Sequence, residues 1–89
     1  MSAYAVRYTA SAARQLRKLD RASQMRIART VEILADNPRP PAATKLVGGA
    51  GAWRVRTGDH RIVYEILEQE LVVLVVQVGH RREVYGRVH

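Results

Sequence analysis

Tyr4, Val6 and Tyr8 alternate with Ala5 and Arg7, the period of two that marks a half-buried strand, and predict a first strand over about Ala3 to Thr9. From Thr9 the period lengthens. Thr9 or Ser11 can cap a helix whose stripe is Ala12, Leu16 and Leu19, with Arg14, Arg17 and Lys18 largely off it. Asp20 is placed to cap a second helix, in which Ile27, Val31 and Leu34 recur at helical spacing, Ala28 and Ala35 widen the stripe, and Asn37-Pro38 ends it. The two helices are expected to form a hairpin.

Pro38, Pro40 and Pro41 then make an irregular connection, after which the pattern turns to strands. Thr44 to Val47 reads as a short strand, Gly48 to Gly51 as a turn, and Trp53 to Thr57 alternates again. His60 to Leu67 follows Gly58-Asp59, and Leu71 to Val78 follows Glu68-Gln69-Glu70, both junctions being tight antiparallel hairpins. Leu71 to Val76 does not alternate, so it is expected in a central position, buried on both faces. The order β-α-α-β-β-β predicts a small α+β domain over residues 1–89, with an antiparallel twisted sheet of about four strands and an N-terminal helical hairpin on one face.

At 89 residues, the chain supports one modest core, and any site must lie on the surface or in a shallow groove. The absence of cysteine removes disulfides, thiolate nucleophiles and Cys-based zinc sites, and His60, His80 and His89 lack a short metal-ligand spacing. No cofactor is expected. The N-terminus lacks a signal-like apolar stretch and the aliphatic run is too short for a bilayer, so a soluble cytoplasmic protein with no membrane partner is expected. Gly48-Gly49-Ala50-Gly51 lacks the Gly-Lys-Ser/Thr ending of a phosphate loop, which sets nucleotide hydrolysis aside.

A net charge of +7, from 15 basic and 8 acidic residues, favours an anionic partner, and 13 of the basic residues are arginine. A genome rich in GC explains the same ratio equally well. The first 43 residues hold eight basic and three acidic side chains, so most of the excess lies on the helical side. There Arg14, Arg17 and Arg26 are candidates for docking on an anionic partner such as nucleic acid, the alternative being a solvated helix surface.

If Gly58-Asp59 is a two-residue turn, Thr57 pairs with His60, Arg56 with Arg61 and Arg54 with Val63, so Arg54, Arg56 and Arg61 share a face. Like charges directly opposed do not help a sheet fold. Converging guanidiniums suit the phosphates of a polyanion and the charge that grows on a phosphorane; the alternative is a solvated face part-neutralised by Glu65. Beyond the last strand, Gly79-His80-Arg81-Arg82-Glu83-Val84-Tyr85 gathers acid–base groups beside two arginines. His80 has a reference pKa of about 6.5 that suits proton transfer, and neighbouring cations favour the Tyr85 phenolate.

Trp53-Arg-Val-Arg-Thr-Gly-Asp-His-Arg-Ile-Val-Tyr-Glu-Ile, the aliphatic strand, and Val78-Gly-His-Arg-Arg-Glu-Val-Tyr together resemble the RelE group of the RelE/ParE toxin superfamily over nearly the whole chain. The resemblance implies a toxin of a toxin–antitoxin pair that enters the ribosomal A site and cuts mRNA there. In that family no metal takes part: the ribose 2′-OH attacks the adjacent phosphorus and leaves a 2′,3′-cyclic phosphate. By motif position it implies phosphate binding at Arg54 and Arg56 and catalytic roles for Arg61, Arg81 and Tyr85. His80 and Arg82 join the candidates for RNA binding from their place beside these residues. Arg54 and Arg56 stand where members often carry lysine. The implied partners are a RelB-like antitoxin, the ribosome and mRNA; the alternatives are a ParE-like gyrase inhibitor and an inert member that binds only its antitoxin and co-represses the operon.

Overall fold

Thr9 is the residue at which strand gives way to helix. A computed structural model describes residues 3–48 and 51–80, in the order β1 (Ala5–Tyr8), α1 (Ala10–Arg17), α2 (Arg21–Asp36), β2 (Thr44–Lys45), β3 (Ala52–Thr57), β4 (His60–Leu67) and β5 (Val72–His80). Thr9, not Ser11, caps α1: its backbone is extended and its Oγ1 accepts from the Ala12 N–H at 3.1 Å. Asp20 does the same for α2, accepting from the Ser23 N–H at 3.1 Å and the Ser23 hydroxyl at 2.6 Å. These bonds hold its carboxyl below the usual carboxylate range, the hydroxyl contributing most.

The helical stripes reach the core as their spacing requires. Ala12, Ile27, Val31 and Leu34 are buried against Val55, Ile62, Tyr64, Val73, Val75 and Val78 of the sheet, with Leu16 and Leu19 packed at the margin. Ala35 is also buried, but Ala28, two turns earlier on the same side of α2, is exposed. The Tyr64 hydroxyl donates to the Pro38 carbonyl at 2.7 Å, which ties the proline connection to the core. Burial pushes the Tyr64 phenol up to about 12.

The sheet has five strands in the order β1-β5-β4-β3-β2, and it differs from the expected arrangement in two ways. First, β1 runs parallel to β5, Ala5 to Tyr8 pairing with Val72 to Val75. A parallel pair needs a long crossover, and the whole middle of the chain supplies it. Second, the Thr44 segment is a two-residue edge strand, paired with Arg54 and Trp53. β5 lies between β1 and β4 as an interior strand, and Val72, Val73, Val75 and Val78 are all buried. One residue of β5 is extra: Tyr64 is opposite Val75 and Val63 opposite Gln77, so Val76 forms a bulge. The face away from the core carries a smaller apolar cluster of Ala52 and Val63, flanked by Leu46 and Val76. Among the described residues no helix is long and apolar enough to cross a membrane.

Candidate functional site

The site is set by the β3–β4 turn. Gly58 has φ 62° whereas Asp59 does not enter the positive-φ region, the combination a II′ turn requires with glycine first. The register that follows pairs Thr57 with His60, Arg56 with Arg61 and Arg54 with Val63. Strand alternation therefore puts Arg54, Arg56 and Arg61 on one face, opposite the side where Val55, Ile62 and Tyr64 meet the helices.

These three arginines, with Ala42 and Thr44, line an open depression of about 210 Å³. Its described lining contains no carboxylate; Glu65 lies on the same face but outside it. Arg61 is buried, at 6% exposure, Arg54 is half-buried and Arg56 is exposed, so the depression grades from a buried arginine to an exposed one. On its other side Arg61 pairs with Gly79 of β5, where the missing side chain leaves the arginine face uncrowded. Guanidinium N–H donors around an open volume of this size suit the non-bridging oxygens of a phosphodiester.

His80 lies elsewhere. It pairs with His60, one residue out of phase with Arg61 and Gly79, and the two rings meet edge to face with centroids 6.1 Å apart. Both imidazoles are on the helix-covered side of the sheet, so the structure brings together Arg54, Arg56 and Arg61 but not His80. The local sequence placed His80 beside the tail arginines without the phase of β5, which the Val76 bulge resets. Arg81, Arg82 and Tyr85 lie outside the described residues. Arg14, Arg17 and Arg26 are all exposed on the helical layer, across the molecule from the depression. The Arg26 guanidinium also lies over the β3–β4 turn, with Nη1 2.9 Å from where a Cβ on Gly58 would sit.

Sequence reasoning missed Ala42, which comes from the irregular proline segment, and Thr44, which opens the two-residue β2, a strand too short to show alternation. It also missed Gln15, whose carboxamide accepts from the Val78 N–H at 2.8 Å. The available signal was its position three residues after Ala12, a polar side chain on the apolar stripe. No group of three or more His, Cys, Asp or Glu side chains able to hold a metal ion occurs among the described residues.

The profile of the ParE toxins of type II toxin–antitoxin systems matches residues 6–85. The chain belongs to the RelE/ParE superfamily of type II toxins. A RelE-like toxin protein of Escherichia coli is 34% identical over 80 residues, covering 88% of this chain and 83% of that protein. The toxin RelG of Mycobacterium tuberculosis is 33% identical over 91 residues, covering 94% and 98%. Among solved structures, a toxin–antitoxin complex of the RelBE type from Mycobacterium tuberculosis superposes with a TM-score of 0.80 at 28% identity, covering 91% of this chain and 94% of that one. The intact RelBE complex of Escherichia coli gives 0.79 at 25% identity, covering 88% and 96%. In this RelE-like toxin, then, the arginine depression sits on the sheet face that the two helices leave open.

Proposed function

We propose that this RelE-like toxin is a ribosome-dependent endoribonuclease that cuts mRNA in the A site through attack of the ribose 2′-OH on the adjacent phosphodiester. The observation that carries the reading is the convergence of Arg54, Arg56 and Arg61 on one open depression. Their guanidiniums hold the phosphate oxygens and offset the extra negative charge of the phosphorane, and the burial of Arg61 means that little reorganisation is needed as that charge develops. The 2′-oxygen forms its bond to phosphorus as the P–O5′ bond breaks, and a 2′,3′-cyclic phosphate and a 5′-hydroxyl result. Tyr85 takes the 2′-OH proton and Arg81 supports the leaving oxygen, roles that follow from their motif positions. His80 contributes no proton transfer in this scheme, because its ring is on the other face.

A depression of about 210 Å³ cannot by itself orient a flexible strand, so the ribosome supplies the alignment and the free protein cuts RNA poorly. Arg14, Arg17 and Arg26 dock on ribosomal RNA from the helical side. The neighbours solved as RelB–RelE complexes support a RelB-like antitoxin as partner, with acidic character matched to a toxin of charge +7. The test is to add the protein to a reconstituted translation reaction and map mRNA 5′ ends with and without ribosomes. Cuts within A-site codons that need ribosomes support the reading. Intact mRNA overturns it and favours the gyrase-inhibiting function, which the profile match to ParE toxins keeps open and a supercoiling assay would then measure.

A further inference from the structure

β1 supports β5 only as far as Val75. Past that point no strand among the described residues lies on the outer edge of β5, although this is the stretch that places Gly79 against Arg61. α1 takes over there. The Thr9 N–H donates to the Val75 carbonyl at 3.0 Å, the Thr9 hydroxyl to the Val76 carbonyl at 3.4 Å, and the Val78 N–H donates to Gln15 Oε1 at 2.8 Å. Two of these bonds flank the Val76 bulge, the irregularity that decides which residues of β5 face the arginines. The Gln15 bond is the third and lies furthest along the strand.

Gln15 is half-buried, on a stripe otherwise made of Ala12, Leu16 and Leu19. An apolar residue there would pack as well and would leave the Val78 N–H without its acceptor, a loss that matters most where water has poor access. From this we infer that Gln15 is a positioning residue: its carboxamide holds the end of β5 in the phase that sets Gly79 opposite Arg61 and so keeps the arginine face open. The catalytic consequence rests on the proposed nuclease function; the structural one does not.

Gln15→Met keeps the length of the side chain and removes the acceptor, and Gln15→Glu restores an acceptor. Amide exchange in the folded toxin reads the structural part. In Gln15→Met, exchange at Val78 to His80 rises at least 10-fold while Ile62 and Tyr64 stay protected, and Gln15→Glu returns it to near the parent value. Unchanged exchange at Val78, or a rise spread evenly over β4 and β5, overturns the inference. Single-turnover cleavage on programmed ribosomes reads the catalytic part. The rate falls at least 10-fold in Gln15→Met with ribosome affinity held within 2-fold, and Gln15→Glu recovers most of it. Parent-like cleavage by Gln15→Met overturns the positioning role, whereas a parent protein that cuts nothing overturns the nuclease function and leaves the exchange result to judge Gln15.

Discussion

Arg56 and Arg61 face each other across the β3–β4 ladder with Arg54 beside them, an opposition that costs the fold up to about 1 kcal/mol. Under the proposed function, stability and function therefore pull apart at these positions. Arg56→Thr should leave thermal stability unchanged or raise it slightly while cutting the mRNA cleavage rate by about 10²-fold or more, the usual scale for losing one preorganised donor; a thermal melt and a cleavage time course together check the sign. Leu71 presents the opposite case, a strained residue with no part in the site. It is the one non-glycine among the described residues with positive φ, at 54°, and its side chain is 52% exposed. Leu71→Gly should stabilise the protein by about 0.5–1 kcal/mol in denaturant unfolding, relief of strain exceeding the added freedom of the unfolded chain. The arginine trio was legible in the sequence because one glycine-first turn determines a whole ladder; the side of His80 was not, because it depends on a bulge made by pairing with a distant strand.

At the scale of elements, the caps, the hairpin and the helical stripes follow from local chemistry, and each can be tested locally. Thr9→Ala removes both the α1 cap and the bond to the Val76 carbonyl, and should cost about 1–2 kcal/mol in denaturant unfolding. Tyr64 gives a pH signature. Its folded pKa is raised to about 12 from 10.0, so its contribution to stability is fully present below pH 10 and is lost as pH rises toward 12. Thermal melts across this range should show a decline that Tyr64→Phe weakens, with the variant less stable at neutral pH because the Pro38 carbonyl loses its donor. What local chemistry did not reveal was the parallel register of β1 on β5, the two-residue length of β2 and the Val76 bulge. All three depend on which distant segments meet, and a pattern of alternation is satisfied by several such meetings.

Across the whole molecule, the arginine depression and the basic helical layer lie on opposite sides of the sheet, an arrangement that in the proposed function separates phosphate chemistry from general attraction to a polyanion. The net charge of +7 and its excess on the first 43 residues, which hold both helices, were legible from composition; the anionic partner they suggest belongs to the proposed function. Arg14→Glu with Arg17→Glu should weaken ribosome association and flatten its salt dependence, leaving the cleavage rate at saturating ribosome little changed. Unchanged ribosome binding would mean that this helical surface is only solvated. The most direct test of the nuclease function compares single-turnover cleavage of A-site mRNA by the parent and Arg61→Ala, with antitoxin binding as the folding control. The expected result is cleavage that leaves a 2′,3′-cyclic phosphate and falls by at least about 10²-fold in Arg61→Ala, with antitoxin affinity retained. Equal cleavage by both proteins, or none by either, would contradict the role given to the arginine depression.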